Sequence, residues 1–170
     1  MKKFRLAAIS LILFTSIKCF GQTYEVPKDY AFTTKDDYAK YEPQVIGAID
    51  WLQQTPFSEQ PEKRKEVNTF LIKWLTGSPA VSVEVGSGVL KFNQTNNEYL
   101  IIFMGAYAKY VIQNRPALDK NQANAAALRA IIAKYNSEPN HIKDKNIERI
   151  AKLDKEGKLD DWVKTDFNKP

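Results

Sequence analysis

From Tyr99 to Ala108 the chain reads Tyr-Leu-Ile-Ile-Phe-Met-Gly-Ala-Tyr-Ala, with no charge at any position. A helix that is apolar on every face has no side to turn toward water, and a stretch this short falls below the roughly twenty residues needed to cross a bilayer. It belongs at the buried centre of a helical assembly. The rest of the chain must supply the cover.

The cover is legible as amphipathic helices. From Pro61, residues Val67, Phe70, Leu71, Trp74 and Leu75 recur at the three-and-four spacing of one helical face, with Gly77 as a C-terminal cap and Ser78-Pro79 as the stop. Thr33 and Asp36 resemble a capping box with Asp in place of Glu, opening a short helix through Tyr41. Pro43 either kinks that helix or starts a new one, which carries Val45, Ile49 and Leu52 to Thr55-Pro56. Asp119 caps an alanine-rich helix, and after Pro139 a last amphipathic helix runs near Asp144 to Lys155, ended by Gly157, with a short turn around Trp162. Gly105, Ala106 and Ala108 match Ala123, Ala126 and Ala130 in smallness and helical spacing, which predicts that the uncharged and alanine-rich helices are close central neighbours.

One segment changes period. Val81, Val83 and Val85 alternate with Ser82 and Glu84, Gly86-Ser87-Gly88 offers a turn, and Val89 to Phe92 can return, so residues 81–92 are expected to form a β-hairpin. The expected fold is therefore mainly all-α, an antiparallel bundle of about five to six helices with one small β-hairpin. Residues 34–170 form its single helical domain and 22–33 an extended lead-in.

Ahead of the lead-in, Met1-Lys2-Lys3-Phe4-Arg5 precedes an apolar run from Leu6 to Ile17, and Cys19 and Gly21 are the small residues before Gln22. This is the anatomy of a secretory signal peptide over residues 1–21, cut between Gly21 and Gln22, and of an exported bacterial protein, periplasmic or secreted. Ser16-Ile17-Lys18 before Cys19 argues against a lipoprotein, whose processing site wants Leu three positions back and a small residue next to the cysteine. Membrane contact is then limited to export.

Export alters the charge reading. Four of the 25 bases, Lys2, Lys3, Arg5 and Lys18, lie in the leader, which holds none of the 20 acids, so 21 bases face 20 acids afterwards. Such a balance gives no reason to expect a nucleic-acid partner. Cys19 is the one cysteine, so packing rather than disulfides must hold the exported chain.

No side-chain pattern outweighs its structural explanation. His141 is the one histidine and stands in a linker, so neither a two-histidine zinc site nor any cofactor is expected. Ser87 lies in Gly-Ser-Gly without the strand-turn-helix spacing of a nucleophile elbow. The adjacent acids Asp36-Asp37 and Asp160-Asp161 diverge around a helix instead of converging on an ion. Lys63-Arg64-Lys65 is flanked by Glu62 and Glu66 and is read as a solvated face. Tyr107 and Tyr110, three apart near the polar end of the uncharged helix, are core residues or the hydroxyl lining of a cleft.

These readings lead to an expectation of a non-catalytic binding or accessory module with an envelope or secreted protein as partner. Its surface would be the hairpin edge at Val83, Glu84, Ser87 and Lys91, or a cleft beside Tyr107 and Tyr110. The alternatives are a cofactor-free hydrolase or lyase using carboxylates and tyrosines, and a helical subunit of an envelope assembly.

Overall fold

The computed structural model describes residues 24–167. The expected signal peptide, its cleavage point and Cys19 lie outside the described residues. Among those residues the fold is all helical, in the order α1 Lys35–Lys40, α2 Glu42–Gln54, α3 Pro61–Gly77, α4 Ser87–Leu90, a 3-10 turn Lys91–Asn93, α5 Glu98–Gln113, α6 Lys120–Ser137, α7 Lys145–Lys155 and α8 Leu159–Thr165. The eight α-helices exceed the five or six expected because α1, α4 and α8 are separate short elements.

The uncharged helix, α5, sits at the centre. It packs most extensively on α6, with α2 and α3 on its other flank, α4 and the 3-10 turn against it, and α7 and α8 against α6. The pairing of α5 with α6 is as expected, but the reason for Gly105 is different. A Cβ there would meet Ile49 Cγ1 at 3.2 Å and Leu71 Cδ2 at 3.4 Å, so its smallness admits α2 and α3. Gly77 is likewise not a cap: it is the last residue of α3, Ser78 is the cap, and the Tyr38 hydroxyl occupies the place a Cβ would take.

Helix starts follow local chemistry. The capping box at α1 is shifted by one residue from the expected pair: Thr34 Oγ1 accepts from Asp37 N while Asp37 Oδ2 accepts from Thr34 N at 2.8 Å. Pro43 lies in the first turn of α2, where its missing N–H costs nothing. Asp119 caps α6 as read from the sequence, and Asp144, expected as the approximate start of the last helix, is the cap of α7. Residues 24–33 are the irregular lead-in, yet they pack on α3 and α1, with Tyr30 edge-on to Phe70 of α3 at 4.9 Å and Phe32 stacked on Tyr38 of α1 at 5.2 Å.

The hairpin does not form. Residues 81–86 have no strand partner among the described residues, and Ser87–Leu90 is helical. Val81 is in the core, Val83 is half-buried and Val85 is exposed, so the three valines do not share one buried face, and Gly86 has extended dihedrals and caps α4 instead of making a turn. Val89 N and Leu90 N both donate to the Gly86 carbonyl, committing the Gly-Ser-Gly segment to a helical turn. Gly88 is needed for close approach, since a Cβ there would collide with the Phe167 carbonyl.

Candidate functional site

The exposed middle residue expected in Lys63-Arg64-Lys65 is buried. Arg64 shares the stripe of Val67 and Leu71, so its stem enters the core between α2 and α5, and Lys134 enters from α6 on the stripe of Ala127 and Ile131. Both cations reach the same place, the end of α2. Arg64 Nη2 donates to the carbonyls of Thr55 and Pro56 at 2.5 and 3.0 Å, and Lys134 Nζ donates to the Thr55 carbonyl at 2.6 Å. The helix end supplies partial negative charge and carbonyls without intrahelical partners, which suits two cations.

Carboxylates balance them. Glu138 lies 2.6 Å from Lys134 Nζ and accepts from Phe57 N at 3.1 Å, and Glu98 accepts from Arg64 Nη1 at 3.2 Å. Phe57 lies 4.6 Å from Lys134 Nζ and 5.4 Å from the Arg64 guanidinium, covering both cations with its ring. Burial pulls the Lys134 ammonium below its ordinary range, with the bond to Glu138 opposing that pull. Nearby, Asp144 Oδ1 caps α7 while its Oδ2 accepts from the Thr95 hydroxyl at 2.8 Å.

These contacts fasten three segments to one another: the α2–α3 connection, the residues leading into α5, and the α6–α7 connection. Between them lies a pocket of about 230 Å³ whose walls include Phe57, Ser58, Asn96, Tyr99, Asn140 and His141. His141 rests on Tyr135, ring centroids 3.9 Å apart, with Nδ1 3.2 Å from the Glu138 carbonyl. Tyr99 is 3 % exposed, and burial together with Glu138, Tyr135 and Asp144 pushes its hydroxyl up to about 12. It stays protonated at neutral pH and offers a proton.

The residues proposed from sequence lie elsewhere. Val83 is half-buried against the core. Glu84 pairs with Lys120 at the start of α6, N to O 2.7 Å, and that bond holds its carboxyl below the usual range. Ser87 is exposed in α4, and the Lys91 backbone carbonyl accepts from Asn146 Nδ2 at 3.2 Å. Tyr107 is buried near the Glu84–Lys120 pair, burial being the main cause raising its hydroxyl. Tyr110 lines a different recess, a groove of about 390 Å³ with Ala106, Ala126 and Ala130. Tyr107 and Tyr110 therefore do not face one cleft together.

Sequence reasoning passed over Arg64, Lys134, Glu138 and Tyr99. The signal was present for the first two, which occupy core positions of apolar stripes. Among the described residues no group of three His, Cys, Asp or Glu is placed to hold a metal ion, and no helix is long and apolar enough to cross a membrane. Comparison with protein-family models, curated proteins and solved structures finds no match to this chain.

Proposed function

We propose that this chain is an exported, non-catalytic binding module that takes a small molecule into the pocket between Phe57, Tyr99 and His141. The observation that carries the reading is the state of the carboxylates beside the pocket. Glu138 is held by Lys134 and the Phe57 amide, and Asp144 by the α7 amides and Thr95, so neither is left available to take a proton from a substrate. A tyrosine held protonated is a donor rather than a base. The pocket is fastened before any ligand arrives, which lowers the ordering cost of binding.

A hydrolase or lyase would need a base with a free lone pair aimed at the reacting atom, and His141 is the remaining candidate. Two measurements separate the readings. Screening a mixed small-molecule library by amide chemical-shift changes should find ligands that move signals from Phe57, Asn96, Tyr99 and Asn140. Absence of any ligand at these residues would end the binding assignment, and turnover of a screened ester, amide or glycoside abolished by His141→Ala would replace it with the catalytic one. The exported state is tested separately: mass spectrometry of the protein from a secreting host should give a chain starting at or near Gln22, whereas an intact Met1 or an acylated Cys19 would refute that part.

A further inference from the structure

The Tyr99 hydroxyl opens onto the pocket. It has no hydrogen-bond partner among the described residues, although the residue is only 3 % exposed. The Tyr24 hydroxyl is sealed in the interior without a partner, but that of Tyr99 is not sealed, and the space its side chain borders is the pocket. A hydroxyl that faces a pocket and has no protein acceptor is available to donate to a ligand there. The side chains of Asn140 and Ser58 on the same walls are also without partners among the described residues.

The charges at the pocket exclude most ligand classes. Glu138 is matched by Lys134, and Asp144 is consumed by α7 and Thr95, so no free cation awaits a carboxylate or phosphate and no free anion awaits an ammonium. What remains is a donor from Tyr99, amide and hydroxyl groups that both give and accept from Asn140 and Ser58, and apolar wall from Phe57 and Ile142. Ile142 is 69 % exposed, an apolar side chain held at the rim in contact with water.

Resting on the binding reading above, we infer that the pocket takes a neutral, amide-bearing sugar of the N-acetylhexosamine type. Its acetamide carbonyl supplies the acceptor for Tyr99. Its hydroxyls match Asn140 and Ser58, its C–H face and methyl group match Phe57 and Ile142, and one such ring suits a cavity of about 230 Å³. Free amino acids and sugar phosphates bring charges that this pocket does not balance.

The test is an NMR titration of the purified protein with N-acetylglucosamine, glucosamine and leucine as probes. N-acetylglucosamine should bind at Tyr99, Asn140 and His141, and Tyr99→Phe, which keeps the ring and removes the donor, should weaken it about tenfold, one hydrogen bond's worth. Asn140→Ala, at an exposed position, gives a second variant whose folding is not in question, and it should also weaken binding. Glucosamine or leucine binding as well as N-acetylglucosamine would overturn the ligand class while leaving the pocket a binding site. Binding of N-acetylglucosamine that moves other residues, or is unchanged in both variants, or no binding at all, would overturn the inference.

Discussion

Two buried cations within reach of one carbonyl are the most consequential feature at the scale of single residues. Removing Lys134 leaves the Glu138 carboxylate, 8 % exposed, with only the Phe57 amide beside it. Breaking a buried pair by removing one member costs about 3–5 kcal/mol, a large share of the roughly 5–15 kcal/mol that holds a domain. Lys134→Met should therefore lower the urea midpoint strongly, and Lys134→Met with Glu138→Gln should recover part of the loss because no charge is then stranded. A double variant as unstable as the sum of its singles would show that the two groups are not coupled. At Gly105 two effects compete. Gly105→Ala gains helix propensity of about 1 kcal/mol but places a methyl 3.2 Å from Ile49, so the midpoint should move little. Gly105→Leu adds three more carbons to the same contact and should cost roughly 1–3 kcal/mol by thermal melting.

At the scale of elements, the glycines of Gly86-Ser87-Gly88 separate the helical turn from the hairpin expected there. Neither glycine has a left-handed φ, so Ala is tolerated by the backbone at both and only the surroundings differ. Nothing lies within 4 Å of a Cβ at Gly86, whereas one at Gly88 strikes the Phe167 carbonyl. Gly86→Ala should stay within about 0.5 kcal/mol of the parent and Gly88→Ala should lose about 1–3 kcal/mol, read from denaturant midpoints. Equal effects would remove the close packing of α4 on the residues after α8. The long helices were legible because each repeats its stripe over several turns and starts at a visible cap, as at Asp119 and Asp144. Residues 81–92 were not, because alternation over three valines is satisfied by any extended segment, and only long-range contacts decide whether a second strand pairs with it. The pocket was less legible still. Its walls come from three connections far apart in sequence, and charge type alone hid Arg64 and Lys134, whose register on their helices places them inside.

Across the whole molecule, one cluster of buried side chains joins the long helices, and tyrosines are built into it at several points. That gives stability a predictable dependence on alkaline pH. Burial, then neighbouring carboxylates and Tyr135, raise the Tyr99 hydroxyl from 10.0 to about 12, and burial is also the main cause of upward shifts at Tyr24 and Tyr107. For a group raised on folding, the unfolded chain loses its proton first. The stabilisation is whole below the unfolded value of 10.0 and is lost as pH climbs through the folded value. Lys134 works in the opposite sense: its folded value is lowered, so the unfolded chain holds the proton longer, and stability gains as pH rises toward the unfolded 10.5. Three tyrosines set against one lysine make the loss dominate above pH 10.0. Tyr99 alone, shifted by about two units, is worth roughly 2–3 kcal/mol at about 1.4 kcal/mol per unit. Urea midpoints measured from pH 8 to about 12 should thus hold steady or rise slightly and then fall steeply. In Tyr99→Phe the fall should be shallower between 10.0 and about 12, although the variant loses no packed ring. A profile in which Tyr99→Phe follows the parent curve at every pH would mean that the Tyr99 hydroxyl is solvated as in the unfolded chain and carries none of the alkaline loss.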